Sequence, residues 1–107
     1  MKAIRVHQFG GPEVPQVEEV QSASPGPGEI LIIVRAAGVN PYDTYMRSGA
    51  YGARNRALPY TPGSDAAGTI EALGPDANRF KTGDRVFTTG TVTGAYAELA
   101  LYRVEQV

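Results

Sequence analysis

Thirteen glycines and eight prolines cut this chain of 107 residues into apolar runs too short for a helical bundle. Glycine supplies the positive φ that tight turns need, and proline ends ladders and helices, so this punctuation reads as a mainly β domain of the α+β kind. Ile4 and Val6 alternate with Arg5 and His7 in a first strand, which stops at Phe9-Gly10-Gly11-Pro12. A weaker strand follows over Val14 to Val20, and Ser24-Pro25-Gly26-Pro27-Gly28 is a turn. The strongest strand runs from Glu29 to Gly38. Its continuous apolar stretch, Ile30 to Val34, demands burial on both faces, which a lone small sheet cannot give without a second layer. Further strands are expected over Ala66–Leu73, Arg85–Thr88 and Ala95–Tyr102, with turns at Gly74-Pro75-Asp76 and Lys81-Thr82-Gly83-Asp84. Tyr51 to Pro62, broken by Pro59 and Pro62, reads as a loop.

One helix interrupts this pattern. Asn40 is a favoured N-cap, Pro41 suits the first helical position, and Gly49 suits the left-handed residue beyond the last turn, so the helix should span Pro41 to Ser48. At about 100° per residue, Tyr42, Tyr45 and Met46 share one face, and Asp43 and Arg47 can pair at the i, i+4 spacing. Asn40, Tyr45 and the nearby Tyr51 then offer a carboxamide and phenol hydroxyls to one polar pocket.

Several function classes are disfavoured. A domain of this size buries only about two-thirds of the surface its unfolded chain exposes. The formal net charge is −1 and the ten basic residues are scattered, so nucleic acid is not an expected partner. There is no cysteine, hence neither a disulfide framework nor a thiolate metal site. The longest apolar stretch falls far short of the ~20 residues of a membrane span, and the N-terminus lacks the pattern of a secretory signal, so no membrane association and a cytoplasmic location are expected. Neither Gly10-Gly11 nor Gly26-Pro27-Gly28 precedes a periodic helix with the spacing that seats a pyrophosphate. A complete phosphate-binding unit is therefore missing from these residues.

Phe9-Gly10-Gly11-Pro12-Glu13-Val14, Gly38-Val39-Asn40-Pro41, Tyr45-Met46-Arg47-Ser48-Gly49, Pro59-Tyr60-Thr61-Pro62-Gly63-Ser64-Asp65 and Gly83-Asp84-Arg85-Val86-Phe87 together resemble the N-terminal part of zeta-crystallin-type quinone oxidoreductases. These belong to the medium-chain dehydrogenase/reductase superfamily, and the resemblance covers essentially the whole chain. It implies a GroES-like, partly open β-barrel with one or two short helices, forming the substrate side of an active site. It also implies a Rossmann-type NADPH-binding domain and a returning C-terminal segment, both outside residues 1–107. By the same resemblance, Asn40, Tyr45 and Tyr51 match positions lining the nicotinamide and quinone pocket, with Tyr45 and Tyr51 as catalytic candidates and Asn40 and Ser64 as cofactor-binding ones. Zinc-dependent members of the superfamily carry cysteine where this chain has Asn40 and histidine where it has Ser64. The resemblance therefore implies a zinc-free site, and the sole histidine, His7, lies far from the helix.

Each candidate also has a purely structural reading. Asn40 is explained by capping, Tyr45 by half-burial on a short helix, Asp43 by the helix dipole, and Ser64 and Asp65 by the turn after Pro62-Gly63. Tyr51 has the least packing reason to be aromatic. Two functions follow: the substrate domain of an NADPH-dependent reductase of quinones or related conjugated carbonyls, inactive on its own, or an isolated or engineered non-enzymatic β-barrel module. In the second case uncovered strand edges favour a homo-oligomer.

Overall fold

The chain is described by a computed structural model in which residues 1–51 and 57–107 are defined. Residues 52–56, in the middle of the loop expected between Tyr51 and Pro62, lie outside the described residues. The elements run β1 (Lys2–Arg5), β2 (Gln16–Glu19), β3 (Glu29–Ala37), α1 (Pro41–Ser48), β4 (Ala66–Leu73), β5 (Arg85–Thr88), β6 (Leu99–Arg103) and a closing 3-10 turn at Val104–Gln106.

β3 is the centre of the molecule. It pairs antiparallel with β4 on one side and β6 on the other, and β4 carries β5, giving a four-stranded sheet of order β5-β4-β3-β6. β1 and β2 form a separate antiparallel pair. Single bridges join β1 and the residue just beyond it to the rest, Ala3 to Ala97 and Val6 to Tyr60, so the two sheets curl toward one another without closing. The result is a partly open barrel.

The apolar run of β3 is satisfied on both sides, as its composition requires. Ile30 and Ile32 are fully buried with Ile70, Ala100 and Tyr102 in the main core. Leu31, which points the other way, is also buried, facing the β1 side with Leu101 opposite it. A smaller cluster of Val6, Val14, Met46 and Tyr60 fixes α1 against the chain after β1.

Two expectations need correction. The last strand starts at Leu99, not Ala95, because residues 95–98 divide their hydrogen bonds between two neighbours. Ala95 and Tyr96 donate N–H to the carbonyls of Gly63 and Pro62 at 3.1 and 3.0 Å, while Ile4 donates to Tyr96 and Glu98 to Lys2 at 2.8 and 3.0 Å. β2 begins at Gln16 because Val14 is used in a turn, its N–H meeting the Gly11 carbonyl at 3.2 Å, and Pro15 has no N–H for a ladder. Along the face of α1 that Tyr42, Tyr45 and Met46 share, Met46 is 4% exposed while Tyr42 and Tyr45 are 49% and 51% exposed.

Gly68 marks the tightest backbone approach in the sheet, where a Cβ would stand 1.9 Å from the Ile33 carbonyl oxygen. No rotamer relieves a backbone clash. Gly68→Ala is therefore expected to lower stability by about 3 kcal/mol or more, seen as a reduced urea midpoint; an unchanged midpoint would contradict the described β3–β4 packing.

Candidate functional site

The site begins with the local chemistry that starts α1. Asn40 has extended backbone, φ −118° and ψ 154°, and Pro41 occupies the first turn. The Asn40 N–H donates to the Asp43 carboxylate at 2.9 Å, and the Asp43 N–H donates to the Asn40 carbonyl at 2.9 Å. Asp43 is only 7% exposed. A buried carboxylate needs several donors, and the second comes from far along the chain: the Tyr96 hydroxyl donates to the same Asp43 oxygen at 2.9 Å. The pairing of Asp43 with Arg47 expected from their spacing is absent among the described residues. Arg47 Nε instead donates to the Gly10 carbonyl at 3.3 Å.

The Asn40 side chain reaches across to the start of β4. Its Nδ2–H donates to Asp65 Oδ2 at 2.9 Å, while the Gly38 N–H donates to the Asp65 carbonyl at 2.9 Å. Asp65 thus holds both the carboxamide and the end of β3. Ser64, next to it, is partly buried and shares a small hollow of about 10 Å³ with Tyr42, Asp43, Met46, Tyr60, Pro62 and Gly63.

At the other end, Gly49 ends α1 in the left-handed region at φ 87°. It also lies against Phe9, where a Cβ would come within 3.0 Å of the ring. This stop returns the chain so that Tyr51 lies over the helix. The Tyr51 ring sits 6.3 Å from Tyr45, edge to face, and 5.5 Å from Tyr42, tilted by 31°. All three rings remain half exposed, Tyr51 at 43%, and form an open aromatic shelf.

The candidates therefore fall into two adjoining groups. Tyr45 and Tyr51 are in contact on the shelf; Asn40 is tied to Asp65 beside Ser64; Tyr42 lies between, packing on Tyr51 and lining the hollow with Ser64. Sequence reasoning overlooked Tyr42 as a shelf member and Tyr96 altogether. The spacing of Tyr42 and Tyr45 on one helix was the available signal for the first. Nothing local signals Tyr96, 53 residues from its carboxylate partner. His7 stands apart, exposed, with Nε2 2.6 Å from Glu18.

The fold and this site define a known class. The signature of the alcohol dehydrogenase GroES-like domain matches residues 26–107, and the chain belongs to that family. Within it, the chain corresponds to the N-terminal domain of quinone-oxidoreductase-type members of the medium-chain dehydrogenase/reductase superfamily. It is 58% identical over 102 residues to a quinone oxidoreductase of Lama guanicoe, covering 94% of this chain and 31% of that protein. Identity to the quinone oxidoreductase of Pseudomonas aeruginosa is 46% over 107 residues, covering 99% of this chain and 32% of the relative. The solved Escherichia coli quinone oxidoreductase complexed with NADPH superposes with a TM-score of 0.93 at 36% identity, covering 99% and 32% of the two chains. The chain thus spans about a third of the length of the relatives it matches.

Burial, and then the hydrogen bond and charge of Asp43, push the Tyr96 hydroxyl well above the ordinary phenol range. Its folded pKa lies above the unfolded value, about 10. The neutral phenol's contribution is therefore fully present below about pH 10 and is lost as pH rises toward the folded pKa. Tyr96→Phe is expected to cost about 1–2 kcal/mol at pH 7 and to flatten the fall in stability above about pH 10, measured by urea unfolding across pH. An identical alkaline fall in the variant would contradict the Asp43 contact.

Proposed function

We propose that residues 1–107 form the substrate side of a zinc-independent, NADPH-dependent oxidoreductase acting on quinones or related conjugated carbonyls. The observation that carries this reading is the open shelf of Tyr42, Tyr45 and Tyr51 beside the Asn40–Asp65 contact, in a chain similar over nearly its whole length to quinone oxidoreductases. Flat, half-exposed phenols suit a planar ring, and their O–H groups can donate toward a carbonyl oxygen on which negative charge accumulates.

These residues fit the nicotinamide end of the cofactor and not its phosphates. Asn40 and Ser64 are the groups that would hold the nicotinamide carboxamide. The start of α1, by contrast, is already occupied by the Asp43 carboxylate, which disfavours a second anion there. When bound, NADPH supplies a hydride. The chain's own part is to orient: Tyr45 and Tyr51 direct hydrogen bonds to the substrate oxygen, Tyr42 flanks Tyr51, and Asp65 fixes the Asn40 amide. We assign the nucleotide phosphates to a Rossmann-type domain outside these residues, with a returning segment that completes the barrel. The matched relatives' threefold greater length supports this. Zinc independence is supported by the residue types at positions 40 and 64 and by the engagement of His7 with Glu18. We place this protein in the cytoplasm; separately, among the described residues no helix is long and apolar enough to cross a membrane.

A second reading, an association module without chemistry of its own, is favoured by the edge strand β5, whose Phe87 is exposed. It applies to the isolated chain and is compatible with the first.

Alone, the 107-residue chain is expected to give negligible NADPH oxidation with a quinone, followed by cofactor absorbance. Joined to a nucleotide-binding domain it should turn over, unaffected by a zinc chelator. Tyr51→Phe should then lower kcat/KM about tenfold, less than the roughly hundredfold cost of removing an enclosed donor. Turnover by the chain alone, or full activity in Tyr51→Phe, would overturn this reading. Sedimentation at about tens of micromolar should report a dimer or larger species, and a stable monomer would remove the association reading.

A further inference from the structure

The second face of β3 and β6 leads to a different site. Leu31 faces Leu101 and Ile33 faces Leu99 across the β3–β6 ladder, alternating with the Ile30–Tyr102 and Ile32–Ala100 pairs of the main core. The β1–β2 pair covers this face incompletely. A cavity of about 290 Å³ remains, lined by Leu31, Leu99 and Leu101 together with Arg5, Thr61 and Thr93. Gln21 and Ala23 also line it and are solvent-exposed, so it opens beside them. None of its lining residues belongs to the tyrosine shelf.

Arg5 is the distinguishing feature. It is partly buried at the cavity wall, and among the described residues it has no ion-pair partner. Among the described residues its side chain makes one hydrogen bond, a long one, from Nη1–H to Thr61 Oγ1 at 3.4 Å. Thr61 is itself only 3% exposed. A guanidinium carries five N–H donors in a planar fork suited to a carboxylate, so most of its donor capacity is unused here. Leu31, Leu99 and Leu101 line the same cavity. A cavity of this size admits a short hydrocarbon chain.

We propose that this cavity is a binding site for a short aliphatic monocarboxylate, its carboxylate on Arg5 and the Thr61 hydroxyl and its hydrocarbon chain against Leu31, Leu99 and Leu101. Charge and volume select this class together. A neutral alcohol of the same length lacks the charge for Arg5, and a dicarboxylate would bury a second charge against leucine.

Hexanoate and hexan-1-ol, titrated separately into the isotope-labelled 107-residue chain, test this by amide chemical shifts. Hexanoate should move the amides of Arg5, Thr61 and Leu99–Leu101 and bind at least about tenfold more tightly than the alcohol. Arg5→Gln should weaken hexanoate by about tenfold and leave hexan-1-ol unchanged. Leu99→Trp, which fills the cavity, should abolish both. Equal affinities for acid and alcohol, no shifts, shifts confined to residues elsewhere, or unaltered hexanoate binding in Arg5→Gln would each overturn the proposal. The acid-to-alcohol comparison in the unaltered chain decides it even where a variant fails to fold.

Discussion

The site depends on one buried carboxylate. Asp43 sits in the first turn of α1, withdrawn from water, and accepts the N–H of Asn40 and the O–H of Tyr96 on the same oxygen. Leaving such a group without donors inside a fold costs far more than the net gain from an ordinary hydrogen bond. The helix start and the bend at Ala95–Ala97 are therefore bound to form together. That bend in turn accepts the N–H of Ile4 from β1 and donates to the carbonyls of Pro62 and Gly63, just ahead of Ser64. A single side chain thus fixes where the helix, the first strand and the edge of the pocket meet.

How much of this could be read from the chain depends on how local the cause is. The limits of α1 follow from Asn40, Pro41 and Gly49, and those of β4 and β5 from Gly63, Gly74 and Gly83 nearby, so all three elements fall where sequence places them. The double burial of β3 is likewise written in Ile30 to Val34. What sequence misplaces is decided at a distance. Arg47 turns to the Gly10 carbonyl instead of Asp43, because Tyr96 and the helix start have already claimed that carboxylate. β6 begins late because residues 95–98 serve two neighbours whose arrival no periodicity announces.

The same division separates fold from chemistry. The GroES-like class is shown by the match over residues 26–107 and by superposition on solved quinone oxidoreductases. The division of labour among Asn40, Tyr42, Tyr45, Tyr51 and Ser64 is a reading of geometry: an aromatic shelf at one end of α1, an anchored amide at the other, and Tyr42 packed on Tyr51 while lining the hollow of Ser64. A short helix can present this constellation reproducibly only if its ends are held. Gly49 against Phe9 holds one end, and the Asp43 contact holds the other.

The most direct test of that central claim is residue-resolved amide hydrogen exchange of the chain with and without Asp43→Ala. Selective loss of protection over residues 40–48, with the amides of β3 and β4 retaining theirs, is the predicted result. Unchanged protection of the helix, or a uniform loss across both helix and sheet, would contradict the claim that this carboxylate is what holds the site in place.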